Sequence, residues 1–171
     1  DLTLLTEVGT HTHSLAEFQA WATAAGFGRL TVRHLVPAEM GTVLIARRPG
    51  GQSDVYPVVE TVQENGMCRE LVAPAPIDPV VAAHARNIAE RIADAIDVTG
   101  IMAVELFVAR GGVVLVNEIA TRPHNSGHHT IEGCVTSQFE NHLRGVLDWP
   151  LGSTAAMAPA VATVNVVGGP S

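Results

Sequence analysis

Two apolar runs separated by a pair of glycines constrain this chain more than any other feature. Ile101 to Val108 and Val113 to Ile119 flank Gly111-Gly112, and β-rich runs joined by a short glycine turn read as a tight antiparallel hairpin. Each run carries one acid, Glu105 in the first and Glu118 in the second. Pairing about the turn sets position 105 near 118, so both carboxylates can face the same side of a sheet. Side by side they repel, and without compensation at least one pKa rises. A hard divalent cation removes the conflict, because Mg²⁺ takes one or two carboxylates together with phosphate oxygens and water. Asn117 adds an amide oxygen beside Glu118, although strand alternation turns it to the opposite face unless the strand ends there. On spacing alone, two unrelated surface acids of an ordinary hairpin would look the same.

The stretch that follows shifts the balance. Arg122-Pro123-His124-Asn125-Ser126-Gly127-His128-His129 is dense in hydrogen-bonding groups, and Pro123 and Gly127 suit a fixed irregular backbone. Arg is the natural partner of a planar carboxylate, bicarbonate or phosphate. A carboxylate pair followed directly by an anion-binding loop is what phosphoryl transfer requires, namely charge neutralisation and positioning. Two other readings are a polar turn around a satisfied core histidine and a zinc site from His124, His128 and His129. The zinc reading lacks a nearby Cys and a helical i, i+4 frame.

The rest of the chain supplies a fold for this hairpin. Ser14 caps a helical run through Leu15, Phe18, Trp21 and Ala22 that ends at Gly26. Leu30 to Leu35, Thr42 to Arg47, Val55 to Val62 and Met67 to Val72 read as strands, the last two joined by Asn65-Gly66. Asp78 and Pro79 open a long helix whose apolar stripe is Val81, Ala85, Ile88, Ile92 and Ala95. Gln138 to Leu147 is a second helix with Ser137 as its cap, and Pro159 to Val167 a last strand. The order predicts an α+β fold with a mainly antiparallel sheet and packed helices. The 171 residues, 47% hydrophobic and 16% charged, suffice for a core. No apolar run approaches the roughly 20 residues of a membrane span, and Asp1 to Thr12 show no basic leader. A net charge of −7 without a basic cluster argues against nucleic acid as a partner. His11 and His13 read as a solvated strand or loop, and Cys68 and Cys134 as reduced thiols of a cytoplasmic protein.

Ala103-Val104-Glu105-Leu106-Phe107-Val108, Leu115 to Ala120, Arg122 to His128, Thr130 to Gly133 and Thr136 to Glu140 together resemble the 5-(carboxyamino)imidazole ribonucleotide synthase family. Tyr56 to Glu60, Ala73 to Pro76, His142 to Arg144 and Pro150 to Gly152 continue the likeness, which covers roughly residues 30 to 168. The resemblance implies an ATP-grasp C-terminal subdomain over 30–150, the start of a small C-terminal β domain over 151–171, and a poorly matched segment over 1–29. It implies ATP and Mg²⁺ as cofactors, bicarbonate and aminoimidazole ribonucleotide as substrates, and a homodimer for the family at full length. Carried over residue by residue, Glu105 and Glu118 would hold the metal, and Asn117 with Glu118 would meet the nucleotide. Arg122 and His124 would bind bicarbonate as catalytic residues, with Asn125, Ser126 and His128 lining the substrate pocket. The family's nucleoside hinge corresponds to Val32 to Pro37, with Arg33 where a Glu is usual, and a second Glu falls near Gly41, with Glu39 close by. The family's lysines have no counterpart, since all ten basic residues are Arg. The expectation is an ATP-dependent carboxylase that does not turn over as this chain alone, with a diverged, non-catalytic binding module as the alternative.

Overall fold

The computed structural model describes residues 2–6, 15–26, 30–34, 39–64, 67–166 and 168. They fall into two units, residues 1–38 and 39–171. In the first, strand β1 (Leu2–Thr6), helix α1 (Leu15–Ala24) and strand β2 (Leu30–His34) follow in order. β1 and β2 pair in parallel, from Leu2 opposite Leu30 to Thr6 opposite His34. A parallel pair needs a crossover, and α1 lies on it. His11 and His13 lie outside the described residues, as do Asn65 and Gly66.

The second unit contains β3 (Glu39–Arg47), β4 (Ser53–Val55), β5 (Val59–Glu64), β6 (Met67–Ala73), α2 (Pro79–Ala95), β7 (Gly100–Ala109), β8 (Val113–Ala120), a 3₁₀ turn (Asn125–Gly127), α3 (Thr130–Gly133), α4 (Gln138–Val146) and β9 (Val161–Val164). Seven strands form one sheet in the order β8-β7-β3-β5-β6-β9, with β4 also on β3. Every pairing in it is antiparallel. β9, from the stretch expected to begin a further β domain, pairs with β6 at the sheet edge, Val161 opposite Ala73.

One correction concerns Val55 to Val62, expected as one strand. It breaks into β4 and β5 around Tyr56-Pro57-Val58. Pro57 has no N–H to give a ladder, and Tyr56 turns into the core, where its hydroxyl donates to Thr136 O at 3.0 Å.

Strand alternation divides the core. Val43, Ile45, Met102, Val104 and Leu106 face α2 and pack against its Ala85, Ala89 and Ala93. Leu44, Ala46, Ile101, Ala103 and Ala120 face the other way and pack with Tyr56 and Cys134. The stripe of α2 is therefore rotated from the one expected: Ala89 and Ala93 are at its centre, Ile88 and Ile92 flank it, and Ala95 is exposed. Small side chains let the helix lie close on a sheet of branched ones. Its N-terminus is capped as predicted, with Asp78 Oδ1 accepting from Val80 N–H at 2.7 Å. β7 and β8 meet through Arg110-Gly111-Gly112, Ala109 opposite Val113. Both glycines have positive φ, 82° and 76°, which residues with a Cβ adopt only at a cost.

Candidate functional site

Glu105 and Glu118 stand directly opposite each other on β7 and β8. Immediately beyond them the register shifts, so that Leu106 faces Val116 and Asn117 is an extra residue on β8. This β-bulge undoes the alternation that would have turned Asn117 away. Its Nδ2 donates to Glu105 Oε2 at 3.3 Å. Three residues that simple pleating would split between two faces thus converge at the end of the hairpin.

The loop after β8 brings a fourth. His124 Nε2 lies 3.8 Å from Glu105 Oε1 and 4.0 Å from Glu118 Oε1. The two carboxylates are not equivalent: the Glu105 side chain is 13% exposed and the Glu118 side chain 53%. Burial holds the Glu105 carboxyl above the usual glutamate range; His124 draws it down, Glu118 pushes it up, and the Asn117 hydrogen bond lowers it. On its other side, His124 Nδ1 is 2.8 Å from Ser126 Oγ and accepts from Ser126 N–H at 3.5 Å.

The structure does not bring every predicted residue into this cluster. Asn125 is exposed, and its Oδ1 accepts from Ser126 N–H at 2.9 Å, shaping the turn. The exposed Arg122 guanidinium donates to Pro123 O at 3.0 Å. The exposed His128 stacks on Phe139, ring centres 5.9 Å apart. The zinc alternative is not supported. His129 is buried with Nδ1 3.1 Å from Ser126 O, while His128 stacks on Phe139 and His124 lies between the two carboxylates and Ser126 Oγ. Among the described residues no group of three or more His, Cys, Asp or Glu is placed to hold a metal ion. Two carboxylates with an amide beside them suit Mg²⁺ better, because that ion takes its remaining ligands from substrate and water.

Sequence reasoning missed Gln138 and Thr130. Gln138 is fully buried, yet its amide is satisfied at both ends by His124: Oε1 accepts from His124 N–H at 3.0 Å and Nε2 donates to His124 O at 2.7 Å. Thr130 Oγ1 donates to Gly127 O at 2.6 Å and accepts from Gln138 N–H at 2.9 Å. The available signal was a long amide residue just after the Ser137 cap, where it can reach back across a loop.

A mixed sheet-and-helix unit with paired carboxylates on adjacent strands and a donor-rich loop is an ATP-grasp arrangement, and residues 11–139 match the ATP-grasp domain family; the chain belongs to that family. Within it, the chain is 53% identical over 130 residues to N5-carboxyaminoimidazole ribonucleotide synthase of Mycobacterium leprae, covering 75% of this chain and 30% of that protein. The crystal structure of the synthetase from Thermus thermophilus superposes with a TM-score of 0.73 at 39% identity, covering 91% of this chain and 43% of the other. That of the Aspergillus clavatus synthase in complex with ADP and 5-aminoimidazole ribonucleotide gives 0.71 at 35%, covering 77% and 35%. The resemblance drawn from the hairpin and the Arg122–His128 loop is borne out. The chain spans 30% of the length of the Mycobacterium leprae relative. Among the described residues no helix is long and apolar enough to cross a membrane.

Proposed function

We propose that this chain carries the ATP-grasp reaction site of a purine-biosynthetic carboxylase. In this reading ATP phosphorylates bicarbonate, and the carboxyl group then passes to the exocyclic amine of 5-aminoimidazole ribonucleotide. The observation that supports it most is the convergence of Glu105, Asn117, Glu118 and His124 at the β-bulge. Glu105 and Glu118 would hold Mg²⁺, which when bound neutralises charge on the phosphates of ATP. A largely buried carboxylate that is costly to charge by itself fits a cation partner. Asn117 and Glu118 would meet the nucleotide. His124 turns Nε2 toward the same point and, with Arg122, would bind bicarbonate and orient it for attack. To do so Arg122 exchanges its contact with Pro123 O for a bidentate one with the anion, a trade that an exposed side chain makes at little cost. Asn125, Ser126 and His128 would line the aminoimidazole ribonucleotide pocket, as expected of the residues that follow the anion loop. The ADP and 5-aminoimidazole ribonucleotide of the Aspergillus clavatus complex are the ligands this assignment calls for.

One observation favours the second reading, a binding module that has lost nucleotide affinity. Gly41 sits in β3 between β5 and β7, and a Cβ there would meet Val59 O at 3.0 Å. A carboxylate at that position, usual for the ribose hydroxyls in the resembling family, would require Val59 O to give way.

The test replaces the matching segment of the full-length Mycobacterium leprae synthase with this chain. The carboxylase reading expects ADP release that requires both bicarbonate and 5-aminoimidazole ribonucleotide. Arg122→Ala should lower that rate by about two orders of magnitude or more, the scale of removing one donor to a developing anion. Near-normal bicarbonate-dependent turnover in the Arg122→Ala chimera would overturn the role of Arg122. A folded chimera that no longer binds Mg·ATP would select the binding-module reading.

A further inference from the structure

We infer that Gln138 is the positioning residue of this site and that it acts by fixing His124, not by meeting substrate. The inference deepens the carboxylase reading and rests on it for the use to which His124 is put. Its structural content stands on four hydrogen bonds. Gln138 opens α4, and its fully buried amide pairs with both backbone groups of His124, N–H at 3.0 Å and C=O at 2.7 Å. That is the pairing a neighbouring strand would provide, delivered by a side chain. The main chain of Gln138 is held as well, its N–H on Thr130 Oγ1 at 2.9 Å while Thr130 Oγ1 donates to Gly127 O at 2.6 Å. One residue at the start of a helix thus fastens both ends of the loop from His124 to Thr130.

Gly127 adds an independent observation. A Cβ there would collide with Gln138 Oε1 and lie 2.7 Å from Leu44 Cδ1. The loop backbone is therefore pressed against the amide, and the space is shaped for the pair Gly127 and Gln138. Two donor–acceptor contacts to a single residue restrict its backbone in a way one contact cannot. For His124 that backbone decides where the ring goes: Nε2 between Glu105 and Glu118, Nδ1 on Ser126. A site that orients a small planar anion tolerates little misplacement, and nothing in the Gln138 contacts reaches the substrate side.

The experiment compares Gln138→Met, which keeps length but removes donor and acceptor, with Gln138→Glu, which keeps an acceptor for His124 N–H and loses the donor. The readout is nuclear magnetic resonance of the ¹⁵N,¹³C-labelled chain, following the ring signals of His124 and His142 and the exchange of the His124 amide with solvent. His142 is the control. It lies on the same helix, and its Nδ1 accepts from Ile101 N–H at 3.1 Å. A displaced α4 would move both histidines. Positioning predicts that Gln138→Met replaces the single His124 ring signal by averaged or multiple ones and speeds amide exchange about tenfold or more, with the His142 ring unchanged. Gln138→Glu should keep His124 amide exchange slower than in Gln138→Met, because one carboxylate oxygen still accepts from His124 N–H although the other no longer donates to His124 O. Shifts in His124 and His142 together, equal behaviour of the Met and Glu variants, or an unmoved His124 ring in Gln138→Met would each overturn the proposal. Mg·ATP calorimetry on the wild-type chimera tests the carboxylase reading separately: its failure would remove the use of the fixed ring and leave the ring measurement unaffected.

Discussion

Glu105 occupies the least comfortable position for a charge in the hairpin. Burial is the largest cause of its raised pKa, Glu118 adds to it, and His124 and Asn117 only partly oppose it. The direction fixes the sign of a pH effect. Between the unfolded glutamate value of about 4.3 and the higher folded value, the folded state binds more protons than the unfolded one. Stability contributed by protonated Glu105 is therefore present at low pH and is lost as pH rises through the folded pKa. Subtracting the Tm-versus-pH curve of Glu105→Gln from that of wild type should expose this as a fall in the difference with rising pH. Added Mg²⁺ should raise the wild-type Tm at neutral pH and leave Glu105→Gln nearly unchanged, because the variant has lost one of the two carboxylates proposed to hold the metal. Parallel pH curves would show that Glu105 carries no such penalty, and equal Mg²⁺ responses would show that it does not hold the metal. At this scale the sequence was legible for residue type and opaque for direction. The pairing of 105 with 118 followed from a glycine turn. The turning of Asn117 toward Glu105 depended on a bulge, one inserted residue that no alternation pattern announces. Arg122 and His128 were read from their chemistry alone, and chemistry does not say that one lies on Pro123 O and the other on Phe139.

Elements were legible where local signals and tertiary packing agree. α2 begins at Pro79 after Asp78, and the cap is made by the atoms its sequence suggests. Asp78→Ala should destabilise the folded chain by about 1 kcal/mol, read as a lower midpoint in urea with an unchanged slope; no shift would mean the helix start is held by packing alone. Local signals failed where packing overrides them. Val55 to Val62 has the composition of one strand, but Pro57 has no N–H for a ladder, and Tyr56, whose N–H still donates to Leu44 O at 3.0 Å, sends its hydroxyl into the core to Thr136 O and Asn141 Nδ2. The polar loop after β8 gave no periodicity, and it contains a 3₁₀ turn and a one-turn helix held by Gln138 and Thr130. Gln138 reaches back fourteen residues to His124, a contact that a window of neighbouring residues does not show.

At the scale of the molecule, Glu105, Asn117, Glu118, His124 and Gln138 all belong to the 39–171 unit. The proposed cation site can therefore be interrogated in this chain directly, whatever the remaining length of its relatives contributes to turnover. Affinity for Mg·ATP is a harsher demand, since ten arginines and no lysine are available to the phosphates. The most direct measurement is a titration of the labelled chain with Mn²⁺, a paramagnetic ion that takes the oxygen ligands of Mg²⁺ and broadens the resonances of nuclei near it. The account predicts selective broadening of Glu105, Asn117, Glu118 and His124, reversed by excess Mg²⁺ and abolished by Glu118→Ala. Broadening centred on other acids, such as the exposed Asp94 and Asp97 beside Arg47, with the hairpin signals left sharp, would contradict it.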